Sequence, residues 1–141
     1  VIRTGAPVLL ARVTAEMIAA AGREDENWIR LVQAVEDVRR ACEHGIESVL
    51  VTDEGLLEVL AEMKRAGELP PGLILKGSVM LGAANPVSVR NLERLGLTTF
   101  NVPTDLSLAQ LAALRAATTM PLDIYIEVPD DVAQRIDAAA S

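Results

Sequence analysis

His44-Gly45-Ile46-Glu47-Ser48-Val49-Leu50-Val51-Thr52-Asp53-Glu54 and Leu95-Gly96-Leu97-Thr98-Thr99-Phe100-Asn101-Val102-Pro103-Thr104-Asp105 follow one plan. In each stretch a helix ends at a glycine, which takes positive φ just past a helix end without a Cβ clash. An apolar residue follows, then polar or small residues, then a short strand. A polar turn carrying an acid leads into the next helix. The two stretches share a pattern more than an identity, and that pattern is the αβα punctuation of an α/β protein.

More units appear on either side of this repeat. Residues 8–13 form a short apolar run, and Thr14 is placed to cap a helix through Ala21. Residues 28–33 read as a strand. Residues 35–43 read as a helix with Val35, Val38 and Cys42 on one face. Strands are expected at 48–52, 73–78, 99–102 and 122–127. Helices are expected at 55–65, with Leu56, Leu57, Leu60 and Met63 inward, and from Asn85-Pro86 to Leu95. Asparagine caps that last helix and proline is pre-set for its first turn. Ser107 with Gln110 forms a capping box for a helix through Ala117. The alanine-rich tail from Val132 reads as helical.

Composition narrows the class. The chain has 141 residues, enough for one domain, and half are apolar, so a packed core is expected. The lone Cys42 excludes a disulfide framework and a zinc site built from paired cysteines. A net charge of −7 argues against a general nucleic-acid binder or a protein docked on anionic lipid. No apolar run approaches a membrane span, and the first residues lack a signal-peptide pattern. A cytoplasmic protein with a small-molecule substrate is expected, without nucleic acid or membrane partners, and a homo-oligomer is allowed.

Two architectures fit the alternation of short apolar strands with helices. One is a partial or truncated (β/α)8 TIM-type barrel. The other is an open flavodoxin-like parallel sheet. Length favours the open sheet, because a full barrel needs about 200 residues or more. Local pattern favours the barrel, because no strand stands out as a long central one. The expectation is a single α/β domain over residues 1–141, an incomplete barrel, with 131–133 as a candidate junction across missing residues.

In both architectures ligands bind at the carboxyl ends of the strands. Lys76, in the apolar run Leu73-Ile74-Leu75-Lys76, is the first candidate. Burial would lower its pKa and suit it to Schiff-base or general-base work, and the bland alternative is a salt bridge to Glu127 or Asp53. Glu127 is the candidate base, sharing one face with Asp123 and Tyr125 by alternation. Gln33, Asp53 and Asn101 are candidate substrate-binding residues. Asp53 sits where a helix opens and a capping role competes, as it does for Asp105 and Ser107. Asn101 is unusual inside a strand and needs partners if buried. Asp53 with Glu127 could hold a divalent cation, although no metal-ligand motif is present. The small-residue stretch 77–85 could meet an anion, yet it carries no Walker or dinucleotide fingerprint. His44, just before Gly45, is at a helix end and poorly placed for catalysis.

Four segments carry a family resemblance. They are Glu26-Asn27-Trp28-Ile29-Arg30-Leu31-Val32-Gln33 with Val35-Glu36-Asp37; Val51-Thr52-Asp53-Glu54-Gly55-Leu56-Leu57; Asn101-Val102-Pro103-Thr104-Asp105-Leu106-Ser107; and Pro121-Leu122-Asp123-Ile124-Tyr125-Ile126-Glu127-Val128-Pro129-Asp130-Asp131. Together they resemble actinobacterial barrel proteins labelled as relatives of the collagenase-like peptidases, over roughly residues 26 to 131. The resemblance implies a TIM-type barrel that continues past this C-terminus. The cysteine- and glycine-containing signature of the peptidases has no counterpart here, and one cysteine cannot supply an iron–sulfur cluster. The resemblance therefore transfers no catalytic residue.

Three functions are open on this reading. The leading one is a barrel enzyme or enzyme-like domain acting on a small polar substrate, by proton abstraction or carbonyl chemistry, with Glu127 as base and Lys76 as electrophilic partner. The second is a peptidase, by family label. The third is a non-catalytic α/β assembly domain.

Overall fold

A computed structural model of the chain describes residues 26–126. The first helix, α1 (Glu26–Glu43), is longer than expected and absorbs the strand read at 28–33. Leu31, Val35, Val38 and Cys42 recur at helical spacing, and no glycine or proline interrupts the run. Val35 is buried, and Val38 and Cys42 pack against the core. Spacing over about three turns thus overrides the local strand preference of a short β-branched and aromatic run.

The remaining elements fall close to their expected places, except that the last strand, expected over 122–127, covers only Leu122–Asp123, so its alternation does not extend to Tyr125. They are β1 (Ser48–Val51), α2 (Glu54–Arg65), β2 (Ile74–Gly77), a single 3-10 turn at Val79–Leu81, α3 (Pro86–Leu95), β3 (Thr99–Asn101), α4 (Leu108–Ala117) and β4 (Leu122–Asp123). The glycines that end α1 and α3 take the predicted conformation, Gly45 at φ 85° and Gly96 at φ 111°. The helix starts are those expected: Asp53 caps α2, Asn85 caps α3 with Pro86 in its first turn, and Ser107 and Gln110 complete a capping box on α4. The readings at 8–13, at 14–21 and from Val132 onward lie outside the described residues.

The four strands form one parallel sheet in the order β1-β2-β3-β4. Register pairs Leu50 with Lys76, Lys76 with Thr99, and Asn101 with Asp123. Each connection between parallel strands passes through a helix, and such crossovers are right-handed as a rule. Adding strands in one direction therefore gathers the helices on one face. Consecutive helices pack on one another, and Val51, Leu75 and Phe100 face them in a single core with Leu57, Leu60, Leu92 and Leu114. Gly77 belongs to that helix-facing side, because only glycine leaves room for Leu97 and Phe100.

The opposite face carries Ser48, Leu50, Ile74, Lys76, Thr99, Asn101 and Asp123 by alternation and register. Leu50 and Ile74 are exposed on it. The architecture is α/β with a parallel sheet, as the sequence predicts, in a strand order common to an arc of a barrel and to part of an open sheet. No described helix is long and apolar enough to cross a membrane.

Candidate functional site

On the face away from the helices, one charged cluster spans three strands. Lys76 is near the carboxyl end of β2, and Asp123 is the last residue of β4. Lys76 Nζ lies 2.9 Å from Asp123 Oδ2. Thr99, at the start of β3 between them, donates its hydroxyl to the same Oδ2 at 2.7 Å. The lysine side chain is long enough to reach across β3, and the threonine beneath it anchors the carboxylate. More than a third of each charged side chain's surface remains open, 35% for Lys76 and 42% for Asp123.

The Thr99 hydrogen bond, joined by the hydrogen bond and charge of Lys76, holds the Asp123 carboxyl below its ordinary value of 3.8, against a smaller opposing effect of burial. Asp123 is therefore ionised at neutral pH, and Lys76 sits beside a fixed negative charge. Lys76 does have the salt bridge of the bland sequence reading, but to Asp123 rather than to Glu127 or Asp53. The expectation of an enclosed lysine is also corrected. The sheet face is open enough that the ammonium keeps access to water.

Asn101 adds a different observation. It is the register partner of Asp123 and is only 5% exposed. Among the described residues its carboxamide makes no hydrogen bond. Its polar atoms are not fully enclosed, so water or a ligand can reach the donor and acceptor that no described residue meets.

The other sequence candidates are distributed differently. Asp53 is at the carboxyl end of β1, where its side chain accepts the Leu56 N–H at 2.8 Å and caps α2. Gln33 is an exposed position of α1, not a strand end. Glu127 lies outside the described residues. The stretch 77–85 is consumed locally: Ser78 and Asn85 cap the helical turns that follow them, and Gly82 closes the 3-10 turn in the left-handed region. Of the two possible caps at α4, Ser107 takes the role, and Asp105 is exposed in the preceding turn. No group of three or more His, Cys, Asp or Glu among the described residues could hold a metal ion.

His44 follows α1 and precedes β1, so it is at the amino ends of the strands, opposite the charged cluster. Burial, and then Glu43, push the Cys42 thiol up from its ordinary value of 9.0. Its side chain packs against the core, and the upward shift leaves less thiolate than in a free cysteine.

Sequence reading missed Asp123 and Thr99 as site residues. A signal for Asp123 was present. In a parallel barrel, side chains of alternate strands meet in one layer. A lysine in one apolar strand and an acid two strands later are therefore candidates to pair.

Together these groups offer a cation with spare donors, a carboxylate with one oxygen outside the ion pair, and an amide with a donor and an acceptor. Such a set can hold a small, polar, charged molecule. No curated protein and no solved structure gives a significant match. The family model described as peptidase family U32 matches residues 24–128, which includes all four strands and the charged cluster. Matched over well more than half its length, the chain belongs to peptidase family U32.

Proposed function

We propose that the chain is part of a TIM-type barrel enzyme, or an enzyme-like domain, that binds a small polar substrate on the sheet face bearing Lys76, Thr99, Asn101 and Asp123. Sequential strand order is what an arc of a barrel requires, and part of an open sheet shares it. The observation that carries the functional reading is the carboxamide of Asn101, a residue only 5% exposed whose amide forms no hydrogen bond among the described residues yet still reaches the surface, beside an open Lys–Asp pair. In this reading Lys76 polarises the substrate or moves a proton, Asp123 and Thr99 orient Lys76, and Asn101 binds. Glu127 enters as the base expected from the sequence.

A screen of small carboxylates, amines, amides and hydroxy acids by ¹⁵N–¹H shift perturbation tests this reading. Hits are expected to move Asn101, Lys76 and Thr99 together. Lys76→Ala and Glu127→Ala are expected to weaken the hits while the protein stays folded. Hits that map elsewhere, or that survive both substitutions unchanged, would overturn it.

Membership of the family favours peptide hydrolysis as a second reading. Against it, the single histidine and single cysteine of the chain lie near the carboxyl end of α1, away from the charged cluster. Lys76 would then have to act without a Cys–His or Ser–His pair. An assay with casein and collagen peptides, with and without added divalent metal, decides this reading. Cleavage abolished by Lys76→Ala would support it, and absence of cleavage would remove it.

A further inference from the structure

We infer that the molecule held at this site is a small zwitterion of the α-amino-acid type. The inference rests on the binding face proposed above and specifies its ligand. The cluster presents both signs of charge at one point, Lys76 Nζ and Asp123 Oδ2 being 2.9 Å apart. A purely anionic ligand would gain Lys76 and be repelled by Asp123, and a purely cationic one would meet the reverse. A molecule carrying an ammonium and a carboxylate on one carbon satisfies both.

Donors and acceptors also match. The Lys76 ammonium has three donors, and its ion pair to Asp123 leaves others available for a carboxylate. Both hydrogen bonds to Asp123 fall on Oδ2, from Lys76 and from Thr99, which leaves Oδ1 for an ammonium. The Asn101 carboxamide can donate to the carboxylate and accept from the ammonium, so either head of the ligand gives it the partner it lacks. An ion pair as exposed as Lys76–Asp123 is held weakly, so a ligand can insert between its members at little cost. The neutral pair of the empty site and the neutral charge of the ligand keep the total unchanged on binding.

The test uses L-alanine as probe, with propionate and L-alaninamide as analogues that each lack one charge, at neutral pH. Binding is followed on the full chain through the side-chain NH₂ resonances of Asn101 and the backbone amides of Lys76, Thr99 and Asp123. Alanine is expected to shift these signals and to bind about tenfold or more tightly than either analogue, the range for losing one charged hydrogen bond. Lys76→Met should erase the preference for alanine over alaninamide, and Asp123→Asn the preference over propionate. Equal binding of all three probes would overturn the zwitterion. So would silence of alanine while another small polar compound still shifts Asn101, and in that case the binding face itself stands. If no compound shifts Asn101, both readings fall.

Discussion

Lys76 and Asp123 belong to strands that are not neighbours, yet their charged groups meet at 2.9 Å over β3. The contact depends on the parallel register, which lines up Lys76 with Thr99 and Asn101 with Asp123. Both side chains keep more than a third of their surface in water, and the pair is therefore expected to contribute little to stability. A double-mutant cycle of Lys76→Met and Asp123→Asn by urea denaturation should give a coupling below about 1 kcal/mol. A much larger value would mean that the face is closed by other parts of the protein.

Thr99 is expected to set the acidity of Asp123. The folded-state carboxyl is held below its ordinary 3.8, first by the Thr99 hydroxyl and then by Lys76. A depressed pKa contributes stability that is fully present above the unfolded value and is lost as pH falls through the folded value. Thr99→Val should raise the Asp123 pKa toward 3.8 and shrink that acid-side loss. Carboxyl ¹³C titration of Asp123, with urea midpoints between neutral and acid pH, reads both effects. An unchanged titration would remove Thr99 from this role.

Gly77 should not tolerate a methyl group. A Cβ there would lie 2.7 Å from Leu97 Cδ2 and 2.9 Å from Phe100 Cδ2, inside the core. Overpacking of this kind costs about 1–3 kcal/mol. Gly77→Ala is expected to lower the urea midpoint accordingly, with little change in slope. Full wild-type stability would show that Leu97 can move aside freely.

Asp53 separates capping from substrate binding. Its carboxylate accepts the Leu56 N–H, so Asp53→Ala should cost about 1 kcal/mol, and Asp53→Asn much less, because asparagine also caps. Neither substitution should alter ligand shifts at Asn101. Loss of those shifts in Asp53→Asn with stability preserved would restore Asp53 to the binding site.

Cys42 is expected to react slowly. Its thiol is pushed up by burial and by Glu43, so the thiolate fraction near pH 8 is below that of a free cysteine. Iodoacetamide labelling followed by mass spectrometry should be slow in native protein and faster in urea. Rapid native labelling would contradict the packing of Cys42 against the core.

Several elements were legible from local chemistry alone. Gly45 and Gly96 mark helix ends because the left-handed conformation there favours glycine. Asp53, Asn85 and Ser107 mark helix starts because their side chains meet unpaired N–H groups within three residues. The four strands between them follow from short apolar runs bounded by those signals. Residues 28–33 read as a strand for the complementary reason, although they are helical. Their short-range preference is for strand, and only the longer spacing from Leu31 to Cys42 shows that they turn with a helix.

The sequence by itself thus determined an α/β chain with parallel strands, and it selected Lys76 and Asn101 as polar residues out of keeping with apolar strands. Tertiary structure decided what those residues meet. Asp123 is 47 positions beyond Lys76, and Thr99 lies between them in sequence and in space. That meeting comes from strand order and register, which are set when helix faces and sheet are buried together, and no local propensity encodes it. The same packing leaves Asn101 nearly covered beside the pair with its amide unbonded at the surface, which turns an odd residue in a strand into a candidate binding group.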